Sequence, residues 1–214
     1  SWRLSLFTVC PTHQIYMLES CPKCSQPINF FRQELGERSK YFVNAITDCA
    51  YCKFDLRNSN IKLIALSDSR IIQDIFDLIK KHDDGWWYLK QGQYALPYSF
   101  AYYDVIHYLS SFLNSKVGTP LYEEALIDLN FNTSTFLQNR KNQVFEIRSL
   151  NERFILLACT LWLLDNWPIR MVELCKKYNL TASKITRSEV LPFWFSKEID
   201  LNLRGIDVIA RNFN

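Results

Sequence analysis

The residues that could do chemistry are cysteines, and they gather at one end. The chain has 7, and Cys10, Cys21, Cys24, Cys49 and Cys52 all lie within its first 52 residues. Four of them form two Cys-x-x-Cys pairs, Cys21-Pro22-Lys23-Cys24 and Cys49-Ala50-Tyr51-Cys52. Such a turn aims two thiolates and some backbone N–H groups at one point, and two such knuckles supply the four sulfurs of a tetrahedral, structural zinc site. The 24-residue gap between Cys24 and Cys49 is slightly long for a zinc ribbon and has room for a short hairpin or helical insert through Phe30, Phe31 and Leu35. The competing reading, a redox dithiol or two disulfides, is disfavoured because the paired spacing recurs in a chain without secretory features.

Upstream, Cys10-Pro11-Thr12-His13 is a third knuckle, with one nitrogen ligand. If it shared a metal with Cys21 and Cys24, then Cys49 and Cys52 would be left over. The preferred arrangement joins Cys21, Cys24, Cys49 and Cys52, which makes Cys10 and His13 half of a second site, or leaves His13 a surface histidine without metal. The sequence opens on Trp2-Arg3-Leu4-Ser5-Leu6 with no initiator Met, as a fragment would, and a missing ligand pair would then precede it.

A catalytic metal is disfavoured. A zinc deaminase needs a His-x-Glu that supplies a ligand and the general base, and none of the three histidines, His13, His82 and His107, is followed by Glu at that offset. No His-Glu-x-x-His, Gly-x-Ser-x-Gly, Walker loop or dinucleotide fingerprint is present. His82 with Asp83 and Asp84 reads as a solvated turn after a helix. No active site is expected, and the protein is not read as an enzyme.

The elements that must position these groups follow from composition and periodicity. In 214 residues, 48% hydrophobic with 15% aromatic and only 5 glycines, a mostly helical fold with a real core is expected. Mean hydropathy is −0.13 and no long apolar run occurs, so the chain reads as soluble, with no membrane partner. Residues 1–61 are expected to form the zinc-finger region and 62–214 a helical domain. Ile71, Ile72, Ile75, Phe76, Leu78 and Ile79 make one helix face, opened by Ser67 or Ser69, and Trp86, Trp87 and Tyr88 form an aromatic cluster, read as core packing against that helix in preference to an exposed recognition patch.

The remainder repeats. A helix from Pro97, a stop at Gly118-Thr119-Pro120, a short helix, a turn at Asn130 and a helix over 133–141 make one unit, approximately 97–143. A second, approximately 151–191, runs from Asn151, a candidate cap, through the apolar stretch 154–164, then 168–178, a turn and a helix from Thr181. Cys175, Asn179, Leu180 and Ile185 suit a helix-turn-helix, and Leu126, Asn130, Phe131 and Phe136 stand 49 residues earlier in each case. Asn tolerates the left-handed backbone such a turn requires, and Thr133 and Thr181 would cap the following helices. As tandem helix-turn-helix units these would meet DNA through Ser183, Lys184 and Arg187, with Lys176 and Lys177 on the backbone side, and in the first unit through Ser134, Gln138, Arg140 and Lys141. A triplet of helices that touches only protein is the alternative, and a net charge of +3 with a pI near 8.4 does not decide between them.

The run Trp2-Arg3-Leu4, Cys10-Pro-x-His13, Leu18, Cys21-Pro-x-Cys24 and Cys49-x-x-Cys52 followed by Leu56 resembles the TniQ/TnsD family of transposition target-selection proteins over about the first 60 residues. The resemblance implies one complete zinc site at Cys21, Cys24, Cys49 and Cys52, and a second at Cys10 and His13 completed by an earlier Cys-x-x-Cys. It also implies a bacterial, cytoplasmic adaptor that binds attachment-site DNA or a guide-RNA effector complex and recruits a transposition ATPase regulator. A homodimer is one arrangement open to it. The zinc part would orient the tandem helical units. A stand-alone zinc-containing helix-turn-helix transcriptional regulator is the alternative.

Overall fold

The structure is a computed structural model and describes residues 5–10, 12–28, 47–60, 62, 69–84, 87–88, 95–96, 99–131, 145–186 and 190–211. The chain divides into two compact units, Thr8–Ile64 and a helical unit of Ala65–Asn214 that also takes in Ser1–Phe7. Arg153 in the helical unit donates to the Ser5 carbonyl at 2.9 Å. The inserts expected through Phe30, Phe31 and Leu35 lie outside the described residues.

In the unit Thr8–Ile64 the described regular structure is slight: β1 (Val9–Cys10) pairs antiparallel with β2 (Ile15–Tyr16), and a 3-10 turn covers Leu56–Asn58. Two further antiparallel bridges join Ser20 to Pro27 and Asp48 to Asp55.

The helical unit contains, in chain order, α1 (Ser69–Asp84), a two-stranded ladder of β3 (Trp87–Tyr88) with β4 (Ala95–Leu96), α2 (Ser99–Leu113), α3 (Thr119–Asp128), α4 (Leu150–Asp165), α5 (Ile169–Lys177), α6 (Ala182–Thr186) and α7 (Phe193–Arg211). The mostly helical expectation holds. Two local readings are corrected. Trp87 and Tyr88, expected only as part of an aromatic cluster after the helix, form a strand in a region expected to be helical throughout, and α1 continues through His82, Asp83 and Asp84, which therefore have helical backbone rather than forming a turn. Trp86, Pro97 and Ser67 lie outside the described residues. Among the described residues no single helix is long and apolar enough to cross a membrane.

The core of this unit is α4. Every residue from Phe154 to Leu164 is buried, and a helix apolar on all sides has to lie inside, with neighbours all round. It packs against α1, α2, α3 and α5. Its start is set by Ser149, not by Asn151. The Ser149 hydroxyl accepts from the Glu152 N–H while the Glu152 carboxylate accepts from the Ser149 N–H, a reciprocal cap that leaves Asn151 exposed in the first turn. Two hydroxyls are buried between α2 and α4. Each is satisfied within its own helix: Ser110 donates to the Ile106 carbonyl and Thr160 to that of Leu156, both at 2.8 Å. Trp167 stacks on Phe195 at 4.8 Å, and the Trp194 indole N–H donates to the Ala101 carbonyl at 3.1 Å, which ties α7 to α2.

The 49-residue repeat is visible in backbone hydrogen bonds. At the end of α3, Leu129, Asn130 and Phe131 donate to Ala125, Ile127 and Leu126; at the end of α5, Tyr178, Asn179 and Leu180 donate to Leu174, Lys176 and Cys175. The N–H of the residue after each Asn reaches five residues back, at 2.8 Å in both copies. Asn130 and Asn179 carry φ of 56° and 51°, the left-handed conformation that closes such a helix end. After the second turn, the Thr181 hydroxyl accepts from the Lys184 N–H at 3.4 Å, and α6 follows. The counterpart helix over 133–141 and the cap at Thr133 lie outside the described residues.

Two outcomes are expected from chemical-denaturant unfolding. A Cβ on Gly118 would sit 2.1 Å from the Phe112 carbonyl oxygen, so Gly118→Ala should lower stability by about 1–3 kcal/mol through backbone displacement. Asn179→Ala should cost about 1 kcal/mol while Asn179→Gly is close to neutral, because only the left-handed backbone distinguishes them.

Candidate metal centre

Each Cys-x-x-Cys turn is built the same way. Ser25 donates its N–H to the Cys21 carbonyl at 2.8 Å and Lys53 donates to the Cys49 carbonyl at 3.0 Å, so each four-residue turn closes on its first cysteine. The residue after the second cysteine takes positive φ, 58° at Ser25 and 61° at Lys53. Flanking residues then pair: Cys21 N–H with the Gln26 carbonyl, Ile28 with Glu19, Cys49 with Phe54, and Leu56 with Thr47. These bonds point both sulfurs of a turn to the same side, and the two turns converge on one point.

There the Sγ atoms of Cys21, Cys24, Cys49 and Cys52 all lie within 4.8 Å of one another. Cys21 meets Cys52 at 3.6 Å, and Cys24 meets Cys49 at 3.6 Å. A metal–sulfur bond of about 2.3 Å places tetrahedral sulfurs about 3.8 Å apart, so the donor set fits a zinc-sized ion held by four thiolates. Cys21 and Cys49 are buried, and Cys24 and Cys52 are half-buried.

The electrostatics ask for a cation. Burial alone would raise the Cys49 thiol, but the N–H groups of Cys52 and Tyr51 and the thiols of Cys21 and Cys24 carry it down to about 6. Cys24 goes the other way. The Gln26 N–H lowers it, yet burial and the hydrogen bonds shared with Cys52, Cys49 and Cys21 push it up to about 12. One cysteine ionises readily while its neighbour keeps its proton, the behaviour of crowded like charges that a divalent ion relieves.

The third knuckle has the same backbone. Gln14 donates to the Cys10 carbonyl at 2.9 Å with φ of 55°, Met17 donates to Thr8, and Val9 pairs with Tyr16 as Ser20 does with Pro27 and Asp48 with Asp55. Cys10 Sγ lies 3.2 Å from His13 Nδ1, and this pair is not part of the four-sulfur cluster. Two donors are thus preset on one turn.

Of the residues expected to meet DNA, Lys176 and Lys177 are exposed at the end of α5, and Ser183 and Lys184 are exposed on α6. Lys184 Nζ also reaches the Asn179 carbonyl at 3.4 Å. Lys177 is ion-paired with Glu124 of α3, whose carboxylate accepts from Tyr178 as well; those two donors hold the Glu124 carboxyl below the usual carboxylate range. This link between the repeats had no sequence signal, because its partners are 53 residues apart and occupy non-equivalent positions. Arg187, Ser134, Gln138, Arg140 and Lys141 lie outside the described residues. Cys159 and Cys175 are buried among apolar residues, and burial pushes both thiols up, that of Cys175 to about 12.

Titrating the metal-free protein with Zn²⁺ should release protons, since bound thiolates exclude them. Affinity should fall steadily as pH is lowered, because Cys24 holds its proton up to about 12, and more steeply below about 6, where the Cys49 thiolate also takes up a proton, as read by a chelator-competition assay at several pH values. No protein-family model, curated protein or solved structure matches the chain.

Proposed function

We propose that the protein is a zinc-stapled, non-catalytic adaptor that selects target DNA in transposition, of the kind the TniQ/TnsD resemblance describes. The observation that carries this reading is the series of three knuckles with one backbone geometry, in the order Cys-x-x-His, Cys-x-x-Cys, Cys-x-x-Cys. That order is the pattern on which the resemblance rests. Cys21, Cys24, Cys49 and Cys52 hold one Zn²⁺ as a structural ion, and Cys10 with His13 offers two of the four ligands of a second. Zinc supplies folding energy and no chemistry of turnover.

In this reading the tandem helix-turn-helix units face nucleic acid, and the second does so through α5, the Asn179 turn and α6. Lys176 and Lys177 meet phosphate, and Ser183, Lys184 and Arg187 meet the groove. A phosphate would compete with Glu124 for Lys177. A transposition ATPase regulator and a guide-RNA effector complex are the partners that the resemblance implies.

The experiment is fluorescence anisotropy with a random duplex and an attachment-site duplex over a salt series, on the wild type and on Lys176→Glu with Lys184→Glu. Binding should weaken steeply with salt, and the double substitution should reduce affinity at least tenfold with a shallower salt slope. Strong preference for one short duplex with no partner protein would favour the stand-alone transcriptional regulator. No binding to any duplex, together with capture by the ATPase or ribonucleoprotein, would keep the adaptor reading and remove direct DNA contact; neither interaction would sink both.

A further inference from the structure

The four sulfurs can be joined in a second way. Contacts of 3.6 Å run across the knuckles, Cys21 to Cys52 and Cys24 to Cys49, and both Cys-x-x-Cys turns are closed by hydrogen bonds between main-chain groups. We infer that the metal centre is a reversible metal–disulfide interchange, in which oxidation expels the ion and closes the bridges Cys21–Cys52 and Cys24–Cys49.

All four sulfurs lie within 4.8 Å of one another, and what favours these pairings over bridges within each turn is the tie they keep between the two knuckles. A disulfide needs about 2.05 Å between sulfurs, so each crossing pair has to close by about 1.6 Å. Two crossing bridges connect the same two turns that the ion connects, and leave the bonds from Ser25 to Cys21 and from Lys53 to Cys49 in place. Bridges within the turns would leave the two knuckles unjoined. The described part of this unit buries few apolar side chains, Val9 among them, so a covalent tie between the knuckles is what can replace the ion as a staple. The other cysteines do not compete on equal terms. Cys159 and Cys175 are buried among apolar residues of the helical unit, and Cys10 lies outside the cluster beside His13.

The oxidant is a peroxide. For each bridge two thiolates give up two electrons and join their sulfurs; hydrogen peroxide accepts the electrons, takes up two protons and leaves as two molecules of water. Two equivalents close both bridges and one metal ion is released. A dithiol reductant reverses the reaction, and the four thiolates then take the ion back.

The inference rests on the four-cysteine site holding an ion, and the test separates the two. The full chain is loaded with Zn²⁺ and its metal content measured; absence of bound zinc at this stage defeats the metal reading itself. The loaded protein is then treated with hydrogen peroxide, with released zinc followed by a colorimetric chelator, and remaining thiols are blocked. Trypsin cuts after Lys23 and chymotrypsin after Tyr51, so together they separate all four cysteines, and mass spectrometry reads each linkage without ambiguity. The expected result is one zinc released per chain, peptides linked Cys21–Cys52 and Cys24–Cys49, and recovery of full zinc content after reduction. The oxidised form should resist limited proteolysis as well as the zinc form does, while chelated, reduced protein is cut. Linkages Cys21–Cys24 and Cys49–Cys52, bridges to Cys10, oxidation to sulfinic acid, or zinc retained under peroxide would each overturn the inference. The same mapping on Cys10→Ser, which removes the half-buried fifth thiol of this unit, should give the same two bridges.

Discussion

Four thiols brought within 4.8 Å of one another set the terms for the unit Thr8–Ile64. They cannot all carry charge at such separations without a cation between them, and the opposite displacements of Cys24 and Cys49 express that conflict. The described residues of this unit that are fully buried are Thr8, Val9, Cys21 and Cys49. With so little apolar burial, the free energy that holds the turns together has to come from the bonds its sulfurs make, to an ion or to one another. The knuckle backbone makes this workable, because its hydrogen bonds aim all four sulfurs at one point.

The helical unit solves the same problem by hydrophobic burial. One helix, α4, has no exposed face over Phe154–Leu164, and α1, α2, α3 and α5 pack against it. The chain then uses one device twice: a short helix ended by an Asn in the left-handed conformation, with the following apolar residue, Phe131 or Leu180, bonded back into the last turn. Side chains around the two copies have diverged. At the end of α5 the pair Lys176 and Lys177 is basic, where α3 has Ile127 and Asp128. Asp128 accepts from the Trp162 indole and is part of the packing, whereas Lys176 is exposed. If the copies began alike, only the second now presents a cationic helix end, which is why the proposed nucleic-acid contact falls there.

Much of this was legible in residue types because the signals are local. Cys-x-x-Cys spacing has few physical explanations, an Asn followed by an apolar residue at a helix end points to a left-handed turn, and an unbroken apolar stretch has to be inside. Where local signals compete, reading fails. Asn151 and Ser149 are both good caps, and Ser149 takes the position because Glu152 stands three residues on to complete the reciprocal pair. Trp87 and Tyr88 suit either helix packing or a strand, and their pairing with Ala95 and Leu96 depends on a chain reversal that no motif announces. The positive φ at Gln14, Ser25 and Lys53 was illegible, since none is glycine or asparagine; the turn imposes it.

By itself the sequence determined the ligand types, their spacing, the helical character of the larger unit and the duplicated turn, all of which are set by interactions within about ten residues. Tertiary structure alone decided that Cys21 faces Cys52 while Cys24 faces Cys49, that α1, α2, α3 and α5 are the helices packed on α4, and that Lys177 meets Glu124. The two sulfur pairs and the Lys177–Glu124 pair join positions 25 or more residues apart. Which partners meet at such separations depends on how whole elements pack, and the spacing of residues along one element carries no record of it.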